Sequence, residues 1–232
     1  MQIQDSQTLD GIAILATVSR ADRDQLARQC KWRRHAGGEQ IIDSQSETRD
    51  VFFVVGGLVR VVNYSMSGRE VTLDDIGPGG YFGELAAIDG EPRSASVMAR
   101  EETLTAALSP EGFATLIERH PVVGVAIMRG LARIIRQSTD RIMDLSTLGA
   151  NNRVHAELLR QARACSTDER TAEIRPIPVH SDIASRVSTT RETVARVLND
   201  LARDGVVRRA KDALVVLDME KLERLVEEVR GI

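Results

Sequence analysis

Met128, Leu131, Ile135, Ser138, Ile142 and Leu145 recur at alternating spacings of three and four residues, the seam of a long helix. From about Pro121 to Leu145 such a helix is roughly 37 Å long, too long to lie inside a small sheet domain. It therefore divides the 232-residue chain. One seam position, Ser138, is polar. Two arrangements fit: a packed amphipathic helix that tolerates a serine, or a dimer helix whose polar position faces a ligand or fixes register.

Ahead of the seam the pattern changes twice. Leu9, Ile12, Leu15, Val18 and Leu26 predict helix over residues 9–30. From Trp32 to about Leu108 short β-branched runs follow: Gln40–Ile42, Val51–Val55, Leu58–Tyr64, Val71–Ile76 and Val97–Ala99. Two β-rich runs flank Gly56-Gly57, which predicts a hairpin over Val51–Val62. Ser67-Gly68 and Gly77-Pro78-Gly79-Gly80 punctuate what comes next. Even spacing with glycine turns suggests a small barrel or sandwich of the jelly-roll kind.

Beyond the seam, Gly149-Ala150-Asn151-Asn152 opens a new unit. A helix over 153–164 precedes a threonine-rich stretch and Pro176-Ile177-Pro178. Two helices lie between His180 and Ala202, and Val206–Arg209 with Ala213–Leu217 form a hairpin, or wing. Asp218 caps a final helix carrying Leu222, Leu225, Val226 and Val229. The domains expected are thus 1–120, 121–148 and 149–232.

Two constellations carry chemistry. Gly80-Tyr81-Phe82-Gly83-Glu84-Leu85 leads through Asp89-Gly90-Glu91-Pro92 into Arg93-Ser94-Ala95. Amides behind a glycine make an anion cradle, and Arg93 supplies a guanidinium that phosphate oxygens favour. A carboxylate such as Glu84 accepts hydrogen bonds from sugar hydroxyls. The second runs from His180 to Leu201. Thr189-Thr190-Arg191-Glu192 has capping-box spacing, and Val194, Leu198 and Leu201 give one apolar face. Arg191, Glu192 and Arg196 then fall near the exposed side, where a recognition helix touches base edges.

The formal net charge of −3 argues at first against nucleic acid, but charge is local. Arg186, Arg191, Arg196, Arg203, Arg208, Arg209 and Lys211 stand against Glu192, Asp200 and Asp204, so a DNA surface is confined to the C-terminal part.

The first constellation resembles the phosphate-binding cassette of cyclic-nucleotide-binding domains, Phe-Gly-Glu-Leu, a short loop, then Arg-Ser-Ala. The second resembles the helix-turn-helix of the cyclic-AMP receptor protein (CRP/FNR) superfamily. The resemblance implies an α+β chain: a jelly-roll β-barrel cyclic-nucleotide-binding domain, a long dimerisation helix and a C-terminal winged helix-turn-helix. It implies that Glu84 takes the ribose 2′-hydroxyl and Arg93 the cyclic phosphate. Ser94 and the amides around Gly83 and Ala95 complete the cradle, with Leu85 beside them. Ser138-Thr139 matches the pair of hydroxyls that touches the purine. Arg191, Glu192 and Arg196 read bases by this resemblance, while Thr190 and Asn151 match backbone contacts. Two departures stand out: Ser188 replaces a frequent turn glycine, and His180 stands where a basic residue sometimes precedes the first helix. The implied partners are a cyclic nucleotide (cyclic AMP first, cyclic GMP second), palindromic double-stranded DNA, a second copy of the chain and RNA polymerase, without a metal. The cysteine cluster of the redox branch is missing.

Other classes find little support. There is no phosphate-loop motif, dinucleotide fingerprint or Gly-x-Ser-x-Gly elbow, and the four histidines lack zinc-ligand spacing, so no enzyme is expected. Cys30 and Cys165 are expected as reduced thiols in a cytoplasmic protein without a membrane span.

Overall fold

Valine-rich runs that are apolar at every position, such as Val51–Val55, must be covered on both faces. The computed structural model, which describes residues 7–66, 68–166 and 170–230, shows how. The chain forms two units divided after Arg133. Ser67 of the expected turn and the side chain of Val229 lie outside what is described.

The first unit holds β1 (Lys31–His35), β2 (Gln40–Ile42), β3 (Val51–Gly56), β4 (Val59–Tyr64), β5 (Glu70–Ile76), β6 (Tyr81–Phe82), β7 (Ser96–Ala99) and β8 (Thr103–Leu108). They make two antiparallel four-stranded sheets, ordered β1-β8-β3-β6 and β2-β7-β4-β5. Val54 and Phe82 from one sheet meet Ile42, Val59 and Val97 from the other in a shared core. Val51 and Phe53 point the opposite way. They pack with Leu9, Ile12, Leu15, Phe113, Val123 and Ile127, which come from the N-terminal segment and from α3 (Pro110–Arg119) and the start of α4 (Pro121–Thr147).

This topology overturns the Val51–Val62 hairpin. β3 and β4 belong to different sheets, so Gly56-Gly57 carries the chain across the sandwich. Gly57 has φ +85, and a Cβ there would stand 2.4 Å from the Glu102 carbonyl oxygen and 2.5 Å from the Thr103 hydroxyl. Close backbone approach, not a primed turn, requires that glycine. The hairpin partner of β4 is β5. The helix expected over 9–30 is also interrupted: a 3₁₀ turn at Ala13–Leu15 precedes α1 (Arg20–Gln29), which Ser19 caps by accepting from the Asp22 amide at 3.2 Å. β1, β6, β8 and α3 were not anticipated.

α4 continues two residues past the expected Leu145. Val123 and Ile127 are buried, but along the seam Met128, Ile135, Ile142 and Leu145 are 61%, 65%, 62% and 48% exposed in the single chain.

The second unit packs α5 (Ala150–Cys165), α6 (His180–Arg186), α7 (Arg191–Arg203) and α8 (Met219–Arg230) with a three-stranded sheet, β10 (Val207–Arg209), β11 (Leu214–Val216) and β9 (Ala172–Ile174). The wing is as expected, although β9 adds an edge strand from the threonine-rich stretch. Asp218 caps the last helix, accepting from the Lys221 amide at 2.8 Å. The end of α4 joins this unit through charge. Asp144 and Glu157 are both buried, and Arg160 bonds each of them, Asp144 at 3.1 Å. Gln161 donates to Glu157 at 2.8 Å, and Arg186 approaches it at 3.9 Å.

Removing the shared cation leaves two carboxylates in a dry site. Arg160→Met should therefore destabilise the C-terminal unit by about 2 kcal/mol, below the full cost of breaking a buried pair because Arg160 is itself partly exposed. Urea unfolding followed by circular dichroism checks this, and Arg163→Met, on the exposed side of α5, should lie within about 0.5 kcal/mol of wild type.

Candidate functional site

In the first unit the site is built where β6 runs into α2 (Glu84–Asp89). Gly83, at φ +84, makes the corner. A Cβ there would meet Arg93 Nη1 at 2.7 Å and the Asp50 carbonyl oxygen at 2.9 Å, so the position requires glycine for both conformation and space. Arg93 is 5% exposed. Its Nη1 donates to the Gly83 carbonyl and its Nη2 to the Asp50 carbonyl, each at 2.8 Å, while Nε donates to the Thr48 hydroxyl at 3.4 Å. The guanidinium lies 5.9 Å from the centroid of Phe52, which stacks on Phe82 at 5.0 Å.

Glu84 is buried at the first position of α2. Burial pushes its carboxyl above the ordinary range, against the opposing pull of its own amide and of Arg93. Burial likewise lowers the Arg93 pKa, opposed by Asp50 and Glu84. Tyr81 sits alongside, its phenol pushed up to about 12 by burial and then by Glu84. Leu85 and Ser94 are exposed and Ala95 is buried. The Asn63 amide donates to the Ser94 carbonyl at 3.1 Å, fixing that corner to β4. Gly83, Glu84, Leu85, Arg93, Ser94 and Ala95 thus come together in one unit. Ser138 and Thr139 lie past the division of the chain, both exposed on α4, with the Thr139 hydroxyl donating to the Ile135 carbonyl at 3.0 Å.

In the second unit α6 and α7 form a helix-turn-helix closed by Ile183, Val187, Val194, Val197 and Leu201, all buried. Val197 replaces the expected Leu198 in the fully buried row; Leu198 packs beside it. Arg191, Glu192 and Arg196 are exposed. The capping residue is Thr190, which accepts from the Thr193 amide at 3.2 Å, so the cap falls one residue later than the Thr189–Glu192 spacing suggested. Glu192's own amide and then the Thr190 hydroxyl hold its carboxyl below the usual range.

Ser188 takes φ +51 in the turn, the left-handed region where a glycine would be unstrained. Arg153, overlooked in the sequence, braces that turn: Nε donates to the Val187 carbonyl at 2.8 Å, Nη2 to Ser188 at 3.1 Å and Nη1 to Leu148 at 2.8 Å. Asn151 accepts from Arg196 at 3.2 Å, and His180 opens α6 half-buried.

A buried guanidinium and carboxylate around a glycine corner, followed by an exposed Arg-Glu helix, define the class: a cyclic-nucleotide-dependent, DNA-binding transcription regulator. Residues 32–120 match the cyclic nucleotide-binding domain family and residues 152–225 the Crp-like helix-turn-helix domain family. The chain is 37% identical over 175 residues to the Cyclic AMP receptor protein of Thermus thermophilus, covering 75% of this chain and 78% of that protein. It is 27% identical to the cAMP-activated global transcriptional regulator Vfr of Pseudomonas aeruginosa, covering 88% and 98% of the two chains. A solved structure of a CooA variant from Carboxydothermus hydrogenoformans shares the fold, with a TM-score of 0.80 at 21% identity over 97% of this chain and 98% of that one. The chain belongs to the CRP/FNR superfamily of transcription regulators. Among the described residues no helix is long and apolar enough to cross a membrane.

Gly83→Ala drives a Cβ into Arg93 and places an L side chain in the left-handed region. It should lower cyclic-nucleotide affinity by about tenfold or more with circular dichroism unchanged. Gly90→Ala also has positive φ, but its Cβ meets only the far end of Arg49 at 3.7 Å, and it should lose less. Titration calorimetry of both variants decides the matter.

Proposed function

We propose that a cyclic nucleotide binds the barrel and that two copies of the chain, joined along α4, then present their α7 helices to a palindromic operator. The observation that carries this is the Gly83–Glu84–Arg93 corner. A buried cation bonded to two carbonyls suits a cyclic phosphate, and the buried carboxylate beside it suits the ribose 2′-hydroxyl. Amides at Gly83 and Ala95 and the exposed Ser94 complete the cradle, with Leu85 at its rim. Cyclic AMP is the first candidate, since the relatives' names speak of it, and cyclic GMP the second.

In this reading residues 1–120 sense, 121–148 dimerise and 149–232 bind DNA. The exposed seam of Met128, Ile135, Ile142 and Leu145 is the apolar surface that a second copy covers. Ser138 and Thr139 meet the purine. Arg191, Glu192 and Arg196 read bases, while Asn151, Thr190 and His180 approach the phosphates. Recognition helices about 34 Å apart would fit successive major grooves, and a coupling of about 1–3 kcal/mol makes a useful switch. RNA polymerase is the onward partner, in the cytoplasm. The direct test is DNA binding by nucleotide-stripped protein with and without added cyclic AMP or cyclic GMP. Binding that is strong and unaltered by either would overturn the switch.

Two further outcomes are expected. The raised pKa of Glu84 means that its charged form is complete only above that pKa, so nucleotide affinity should fall on acidification sooner than an ordinary glutamate would require. Glu84→Gln should flatten that profile, and titrations from pH 7 downward check it. Glu192→Ala should relax discrimination at one base pair, lowering a wrong-base penalty of about 1–3 kcal/mol, while non-specific affinity holds or rises. Selection over randomised half-sites reads this out; an unchanged base preference would place another face of α7 in the groove.

A further inference from the structure

We propose that Asn151 positions the Arg196 guanidinium for base reading, so that a residue outside the recognition helix helps set its specificity. The inference rests on the DNA reading above. Arg196 Nη2 donates to Asn151 Oδ1 at 3.2 Å, and both side chains are exposed. Arginine can only donate, so the amide presents its oxygen to it. Asn151 belongs to α5, not to α7, and the residue that caps α5 is Gly149.

The first turn of α5 is fixed relative to α7. Two residues after Asn151, Arg153 binds the Val187 and Ser188 carbonyls of the turn before α7, at 2.8 and 3.1 Å. Val154 shares one buried core with Val194 and Val197 of α7. An exposed arginine otherwise samples many rotamers, and holding one beforehand lowers the cost of ordering it on DNA. Arg196 also has a competitor for its charge. Glu192 lies four residues earlier on the same face, the spacing of a helical ion pair. Among the described residues the two form none: the Glu192 carboxyl is held by its own amide and the Thr190 hydroxyl, and Arg196 turns to Asn151. Asn151 is a neutral acceptor, so it orients the guanidinium without cancelling the charge that attracts DNA. The two Nη2 protons lie on different edges of the arginine fork. One bond to Asn151 therefore leaves the other edge whole for the O6 and N7 acceptors of a guanine.

The experiment is selection over randomised half-sites, followed by binding titrations, with the full-length protein and saturating cyclic AMP or cyclic GMP. Asn151→Ala should relax preference by about fivefold at the same base pair that Arg196→Ala relaxes, with circular dichroism unchanged. The double variant should match Arg196→Ala alone, because the asparagine acts through the arginine. Asn151→Asp keeps the acceptor but adds a negative charge, so it should retain the base preference while weakening every half-site. A preference unchanged in Asn151→Ala, with all half-sites weakened alike or not at all, overturns the positioning role. So does a loss of preference in Asn151→Asp, where the acceptor oxygen is still in place. Wild-type protein that selects no half-site overturns the DNA reading itself.

Discussion

The sensor half depends on one desolvated cation. Arg93 bonds backbone carbonyls at Gly83 and Asp50, so a single guanidinium ties the segment before β3 and the corner after β6 to the segment before β7. Those strands belong to both sheets of the sandwich. Among the described residues no carboxylate stands within ion-pair distance of it. Carbonyl dipoles satisfy its geometry, while the charges of Asp50 and Glu84 act on it from a distance without a direct ion pair. That arrangement is costly as pure structure and sensible as an anion site. It also explains why Gly83 is glycine: the guanidinium occupies the space of a Cβ.

Motifs whose residues are close in sequence are legible from the sequence itself. Gly83, Glu84 and Arg93 fall within one short run, and Thr190 to Arg196 within another, so their chemistry and spacing sufficed. What escaped was long-range. Gly56-Gly57 has the local signature of a hairpin, and only the approach of Glu102 and Thr103 reveals a crossing between sheets. β8 is buried throughout, so the alternation at its start, Thr103 to Ala106, does not carry through to Leu108 and does not mark an inner and an outer face. Trp32 and Arg33 in β1 gave no alternating pattern either, because that edge strand takes its register from β8.

The DNA half repeats the lesson with a different force. Ser188 departs from the glycine often found in such turns, and the structure shows the consequence as φ +51. A non-glycine residue there costs of order 1 kcal/mol, which the surroundings must offset. Arg153 does so by binding the two carbonyls of the turn from α5. Its third bond reaches Leu148, in the segment between α4 and α5. One side chain therefore fixes both the angle between α6 and α7 and the point where the long helix gives way to the DNA-binding unit. Local propensity could not reveal Arg153, since its partners are more than thirty residues away in the chain.

Burial also revises how the basic window is counted. Arg186 belongs to the sequence excess, yet its side chain is only 14% exposed and turns to the buried Glu157 at 3.9 Å. It anchors α6 on α5 and contributes little to an outward field. Arg203 is exposed but shares its charge with Asp200 at 2.6 Å. The outward charge of this window is consequently carried by the exposed Arg191 and Arg196 of α7 and by Arg208, Arg209 and Lys211 of the wing. Exposed cations gathered in the second unit of a chain that is acidic overall favour binding of phosphates there over the rest of the surface. The exposed Glu192 among these cations lies in the first turn of α7, where its own amide and the Thr190 hydroxyl hold the carboxylate and its charge complements the helix N-terminus.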